Sequence, residues 1–228
     1  MTVTKRYNVP KFWLIGVKAK KYVVSPTTGP HSKHACVPLG VLLRDMLHVS
    51  HTMKESREIL GREFVKVNGV VRKQHGFPVG MMDVVEIDGD FYRVLPSRKG
   101  LYLFRTDSKD GALRLARISN KIHVKGKKIQ LSLHDGCNML VDKDEFKTSD
   151  VVVVDVLHKI IKDNIKFEKG SFAMITDGHN AGFSGVIESI DRNLRTVTMT
   201  AGDRKVLVPI KYVFVVGRSQ PAVNIGEA

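Results

Sequence analysis

Three features of the sequence predict a mostly-β α+β fold. Valine makes up 31 of 228 residues, an enrichment that favours strands. Short apolar runs are cut roughly every ten residues by Gly, Asp and Asn turns, the spacing of small sheets and barrels. Helical periodicity is confined to Leu39–Gly61. With 43% hydrophobic and 26% charged residues, the composition is that of a globular chain long enough to bury hydrophobic cores.

Residues 1–38 read as a basic arm. Met1 to Ala35 holds no acidic residue but seven bases: Lys5, Arg6, Lys11, Lys18, Lys20, Lys21 and Lys33. Turn formers such as Ser25-Pro26-Thr27-Thr28-Gly29-Pro30-His31 break it into short extended pieces. Trp13, Leu14 and Val23-Val24 are its expected anchors. Its like charges give it little reason to order without phosphates to neutralise them.

Residues 39–95 read as a compact module of two helices and a small sheet. After Pro38, Leu39, Leu42, Leu43, Met46 and Leu47 recur at helical spacing, with Arg44, Asp45 and His48 off that stripe. Thr52 and Glu55 form a capping box, and the helix they open runs to about Leu60, where Gly61 stops it. Lys54 and Arg57 face outward on it; Met53, Ser56, Ile59 and Leu60 face inward. Asn68-Gly69 accepts the positive φ values of a type I′ hairpin turn, and Asp88-Gly89-Asp90 makes a second turn.

Residues 96–166 form a β-rich middle domain, with strands expected at Leu101–Arg105, Leu113–Arg117, Lys121–Val124, Lys128–Leu133 and Val151–Leu157. The unbroken run Val151–Val154 predicts a central strand buried on both faces. Residues 167–218 supply five more strands, at Phe172–Thr176, Gly185–Ile190, Thr196–Thr200, Lys205–Val208 and Tyr212–Val216, read as a small β-barrel. Residues 219–228 are a tail.

Charge directs the functional reading. There are 37 Lys+Arg against 23 Asp+Glu, a formal net charge of +14. Leu39–Leu95 balances eight bases with eight acids, so the surplus lies in the arm and in Pro96–Asp135, with ten bases and three acids. Two separate patches of one sign predict a polyanionic partner. No apolar run approaches the roughly 20 residues of a membrane span, no signal peptide is expected, and no basic amphipathic helix has a broad apolar face, so nucleic acid is preferred to membrane. Two cysteines, Cys36 and Cys137, fit a reducing compartment.

Catalysis finds poor material. His134-Asp135 lacks a nucleophile elbow, and Asp83, Asp88 and Asp90 read as turn residues. His31, His34 and Cys36 are too few for structural zinc. The glycines of Asp177–Gly185 lack both nucleotide-binding spacings. The expectation is a binding protein with no cofactor, no metal and no small-molecule substrate.

At the motif level, Leu39–Ile87 resembles the S4 RNA-binding domain, in its Leu-rich first helix with Arg44, its Thr52–Arg57 helix, Val67-Asn68-Gly69, and Pro78-Val79-Gly80 before Asp83–Ile87. Lys169-Gly170, Phe172–Ile175, Gly178, His179, Gly182 and Gly185–Ile187 resemble a KOW motif. The order of parts is similar to the S4e family of small-subunit ribosomal proteins, through Pro10–Trp13, Thr28–His31, Pro38-Leu39, Phe77–Val84 and Lys125–Gly136. Met1–Thr4 lacks the more basic start common in that family, and the chain stops soon after the KOW-like part, as archaeal members do.

The resemblance implies binding to small-subunit rRNA beside neighbouring ribosomal proteins, in the cytoplasm. The rRNA-binding residues it implies, with the bases above, are Lys5, Arg6, Lys11, Trp13, Lys20, Lys21, His31, Lys33, Arg44, Lys54, Arg57, Lys66, Arg72, Lys73, Lys121, Lys125, Lys127, Lys128, His134 and His179. The alternatives are an RNA-modifying or translation-quality-control protein built on the same S4-type module, and a KOW-type transcription factor.

Overall fold

A computed structural model describes residues 3–16, 18–126, 128–202 and 204–226. It is a mostly-β α+β fold in two compact units, residues 1–95 with 99–111, and 96–98 with 112–228.

The first unit joins the N-terminal segment and the helix–sheet module around one core. Val3–Lys5 pairs antiparallel with Tyr22–Val24, and Cys36–Pro38 with Pro78–Gly80. The main sheet runs in the order Val70–Val71, Val65–Val67, Val84–Ile87, Asp90–Ser97, Gly100–Thr106. Val9, Trp13, Ile15 and Val23 from the N-terminal segment are buried with Leu39, Leu43, Leu60, Val65, Val79 and Val85. The segment is thus held by Trp13 and Val23 as expected, but by Ile15 in place of Leu14, which is 57% exposed.

Two details of the helices depart from the periodicity. Leu39–Val41 is a single α turn that widens into a π turn over Leu42–Met46, closed by Leu47 N–H donating to the Leu42 carbonyl at 3.0 Å. The wider turn brings Leu42, Leu43 and Arg44 all to the buried side, so Arg44 is not on the outward face that α spacing gives it. The second helix spans Met53–Gly61 with the Thr52–Glu55 capping box complete. Gly61 lies in its last turn, and the chain leaves through Arg62 and Glu63, whose φ is 66°. Both hairpin turns form where the sequence puts them, with Asn68 at φ 49° and Gly69 at 72°, and Asp88 at 49° and Gly89 at 87°.

The second unit opens with a curled five-stranded sheet, in the order Asn138–Val141, Lys128–Leu133, Leu113–Val124, Val151–Asp155, Ile161–Ile165. Leu113–Arg117 and Lys121–Val124 are one strand, not two. Its first half pairs with Val151–Asp155 and its second with Lys128–Leu133, with a register shift between Ile118 and Asn120 where the sheet curls. Val151–Asp155 is buried throughout between two neighbours. Asn138–Val141 and Ile161–Ile165, which periodicity does not reveal, are edge strands, and the second has a polar centre, Lys162-Asp163-Asn164.

The last sheet has the order Arg204–Pro209, Thr196–Ala201, Ser184–Asp191, Phe172–Ile175, Val213–Gly217. Its outermost strands follow each other in sequence through the 3-10 turn Ile210–Tyr212, and among the described residues no ladder joins them. A Cβ at Gly185 would lie 2.5 Å from the Thr200 carbonyl oxygen, so this strand crossing needs glycine there.

Candidate nucleic-acid interface

The N-terminal ribbon exposes its lysines and buries its arginine. Lys5, Lys11, Lys18, Lys20 and Lys21 are exposed, and none forms an ion pair among the described residues. Arg6 is 8% exposed, and its Nε and Nη2 donate to the Ile15 carbonyl at 3.0 and 2.6 Å. Trp13 is 2% exposed and donates from Nε1 to the Cys36 carbonyl at 2.9 Å. Lys33 Nζ reaches the Thr4 hydroxyl at 3.5 Å. The aromatic rings that face solvent here are Tyr7 and Tyr22, at 81% and 51% exposure.

A second surface forms on the capped helix and the loop before Phe77. Lys54 and Arg57 are exposed there. Arg57 Nη2 lies 3.5 Å from His75 Nε2, and the Arg72 guanidinium stacks 4.3 Å from the Phe77 ring centroid. The loop is pinned on both sides, by Gly40 N–H donating to the His75 carbonyl at 2.7 Å and Thr27 N–H to the Gly76 carbonyl at 2.8 Å. Burial, then the Arg57 charge, pushes His75 below its ordinary value, so its imidazole is neutral at pH 7. Phe77 opens one of the motifs quoted above and His75 lies in none, and only the fold sets the two beside Arg72 and Arg57.

Several other bases of this unit hold carboxylates. Arg44 grips Asp45 through Nε and Nη2, Lys66 binds Glu86 at 2.8 Å, and Lys73 binds Glu63 at 2.5 Å. His31 is turned inward, its Nε2 2.8 Å from Asp83 Oδ2. Asp83 also accepts from Gly80 N–H at 2.8 Å and Asn68 Nδ2 at 2.7 Å. Burial raises the Asp83 carboxyl, but the His31 hydrogen bond and charge, with Gly80 and Asn68, outweigh it and hold it below its ordinary value. A Cβ at Gly80 would run into the His31 ring, which explains why Pro78-Val79-Gly80 ends in glycine. Burial, with Asp83 nearby, pushes the Cys36 thiol up to about 12, so it stays protonated.

In the second unit Lys125 and Lys128 are exposed around Gly126, whose φ is 85°; Lys127 lies outside the described residues. Lys121 is tied to Asp144 and to the Phe146 carbonyl. His134 accepts the Arg117 N–H at Nδ1, 3.2 Å away, and packs edge-on against Phe214. His179 is exposed on the Gly178–Gly182 loop, where Arg204 lies 5.3 Å from the Phe183 ring and donates to Asn180. Among the described residues no group of three His, Cys, Asp or Glu is placed to hold a metal, and no helix is long and apolar enough to cross a membrane.

Exposed cations on fixed backbone, over buried cores in two compact units, have the chemistry to meet a polyanion. Comparison with known proteins makes this specific. The ribosomal family S4e profile matches residues 88–161 and the RS4NT (NUC023) domain matches 4–34. The small ribosomal subunit protein eS4 of Pyrobaculum islandicum is 38% identical, with 99% of each chain covered. That of Archaeoglobus fulgidus is 40% identical, with 97% of each covered. The crystal structure of the 30S ribosomal protein S4e from Thermoplasma acidophilum superposes with a TM-score of 0.72 at 31% identity, covering 81% of this chain and 96% of that one. The chain belongs to the ribosomal family S4e.

Proposed function

We infer that this protein is a structural component of the small ribosomal subunit that binds and positions small-subunit rRNA among neighbouring ribosomal proteins, and is not an enzyme. The observation that carries this is the end-to-end match to archaeal eS4 proteins at 38–40% identity. The physical means is fixed geometry. Lysines act as point charges on phosphates, and arginine forks engage them at two oxygens. The deep, narrow major groove of A-form RNA admits no side-chain readout, so discrimination comes from tertiary shape and splayed bases.

In this reading the rRNA-facing residues are the exposed cations of the N-terminal ribbon, Lys54 and Arg57 with Arg72, Lys125 and Lys128 at the middle hairpin, and His179. Arg6, Trp13, His31 and Arg44 support the surface from beneath. The Leu39–Leu95 part acts as an S4-like module, 96–166 as the middle domain and 167–218 as a KOW-like barrel. The glycine loop between the first two strands of the last sheet, and the 3-10 turn before its last strand, support the KOW-like reading.

The test is sedimentation of ribosomal particles followed by protein–RNA crosslinking. The protein should travel with the small subunit, with crosslinks concentrated at Lys5–Lys21 and Lys54–Lys73. Sedimentation away from that peak, or a stoichiometric rRNA modification that depends on the protein, would overturn the reading.

A further inference from the structure

The N-terminal ribbon presents two aromatic rings to solvent in the midst of its unpaired cations. Tyr7 and Tyr22 are 81% and 51% exposed, on a segment that buries Val9, Trp13, Ile15 and Val23. The backbone beneath both rings is fixed. Tyr22 lies directly across the ribbon from Lys5. Tyr7 sits in the 3-10 turn Arg6–Asn8, closed by Val9 N–H donating to the Arg6 carbonyl at 3.3 Å. The Arg6 guanidinium fastens that turn to the Ile15 carbonyl.

The electrostatics around the rings has one sign. Lys21 Nζ is 5.6 Å from the Tyr22 ring centroid, Lys5 is opposite, Lys20 is close by in the chain, and residues 1–35 contain no carboxylate side chain. An exposed aromatic face on fixed backbone, flanked by ammonium groups, matches an unpaired nucleotide, whose base stacks on the ring while its phosphate meets a lysine. An acidic peptide would satisfy the lysines but would leave the ring faces without a planar partner. A paired stem offers phosphates but no free base.

We propose that Tyr7 and Tyr22 are a stacking platform for unpaired nucleotides of the bound RNA. This rests on the rRNA-binding reading above and adds to it the kind of RNA element that the ribbon selects. Because the backbone beneath the rings is fixed, only the side-chain torsions of the two tyrosines remain to be ordered on binding.

The experiment titrates the full-length protein with two synthetic RNAs of equal length, a fully paired hairpin and an unstructured single strand. The variants are Tyr7→Ala/Tyr22→Ala and Tyr7→Phe/Tyr22→Phe, with Tyr7→Ala alone as the variant to use if the double alanine fails to fold in a thermal melt. The alanine variant should bind the single strand about tenfold more weakly or worse, and the hairpin as wild type does. Its salt slope should not change, because no cation is removed. Phenylalanine, which keeps the ring face, should restore binding. Equal loss on both RNAs, no loss on the single strand, or no rescue by phenylalanine would each overturn the platform while leaving rRNA binding intact. Wild-type protein that binds neither RNA would sink the underlying reading and the platform with it.

Discussion

In the N-terminal ribbon, Lys5, Lys20 and Lys21 stand exposed and form no ion pair among the described residues; on the helix–sheet module that shares its core, Arg44, Lys66 and Lys73 each hold a carboxylate. The difference begins in composition, since residues 1–35 contain no acid while Leu39–Leu95 balances eight bases with eight. It has an energetic consequence. Exposed pairs such as Lys73–Glu63 add little stability, and each must break or share before its lysine neutralises a phosphate. The ribbon has no such competition, but its self-repulsion must be offset by anchors in the core. Under the function proposed above, stability and binding are therefore held by different residues of one unit, and each can be perturbed separately.

The largest expected effect is on the anchor. Trp13→Ala removes the biggest buried side chain of the ribbon and its bond to the Cys36 carbonyl, and should cost about 3–5 kcal/mol. Thermal denaturation should show a much lower midpoint. Limited proteolysis should cut first within residues 3–35, because the lysines then repel with the largest anchor gone. A variant as stable as wild type would mean that the ribbon is not part of the core.

Next in size is the Asp83 network, which ties His31 from the ribbon side to Asn68 and Gly80 of the module. Asp83→Ala leaves three donors without their acceptor and should cost about 3–5 kcal/mol, the range for a broken buried pair. Its pH signature follows from linkage. A carboxyl held below its unfolded value contributes fully above about pH 3.9, and that contribution fades as acid titrates the folded state. The stability gap between wild type and variant should thus narrow as the pH falls below about 4. A gap that does not narrow at all as the pH falls below 4 would assign the loss to packing.

A smaller effect separates free cations from engaged ones. Lys5→Ala/Lys20→Ala/Lys21→Ala should flatten the dependence of log K on log salt for rRNA by roughly 0.7–0.9 for each phosphate left without its lysine. Removing a lysine together with its partner, as in Lys66→Ala/Glu86→Ala, keeps the net charge and should leave the slope nearly unchanged. If this neutral double variant lowers the slope as much per lysine as the ribbon variant does, engaged lysines exchange glutamate for phosphate, and the contrast between the two regions dissolves.

The sequence exposed most of this contrast, because charge counts and turn residues are local. The acid-free segment, the Thr52–Glu55 cap, Asn68-Gly69 and the buried valines of 151–154 are all visible without coordinates. What escaped depends on contacts distant in the chain. Trp13 is legible as an anchor, but its partner is not: its Nε1 finds the Cys36 carbonyl 23 residues away. Arg44 reads as outward because α spacing puts it there, and one π turn moves it under cover. Tyr7 and Tyr22 carry no sequence signal beyond their basic neighbours; exposure identifies them.

The smallest effect is a proton taken up at the junction of the two regions. His75 sits where Thr27 of the N-terminal segment meets the loop behind Arg57, and its imidazole titrates low because burial and then the Arg57 cation both oppose a second positive charge. A phosphate bound at Arg57 reverses part of this. It offsets the arginine and itself favours the imidazolium, so His75 should titrate higher in the complex than in the free protein. By linkage, RNA binding then takes up a fraction of a proton, and affinity should rise as pH falls from 7.5 to 6. The gain is bounded by one proton over 1.5 pH units, and a partial shift predicts about a threefold change. The decisive measurement is the difference between wild type and His75→Gln, which keeps a polar side chain but cannot take the proton. Isothermal titration in two buffers of different ionisation enthalpy at pH 6.5 should show proton uptake in wild type and less in the variant. Equal uptake in both would place the phosphate away from Arg57 and leave the ribbon as the principal binding surface of the first unit.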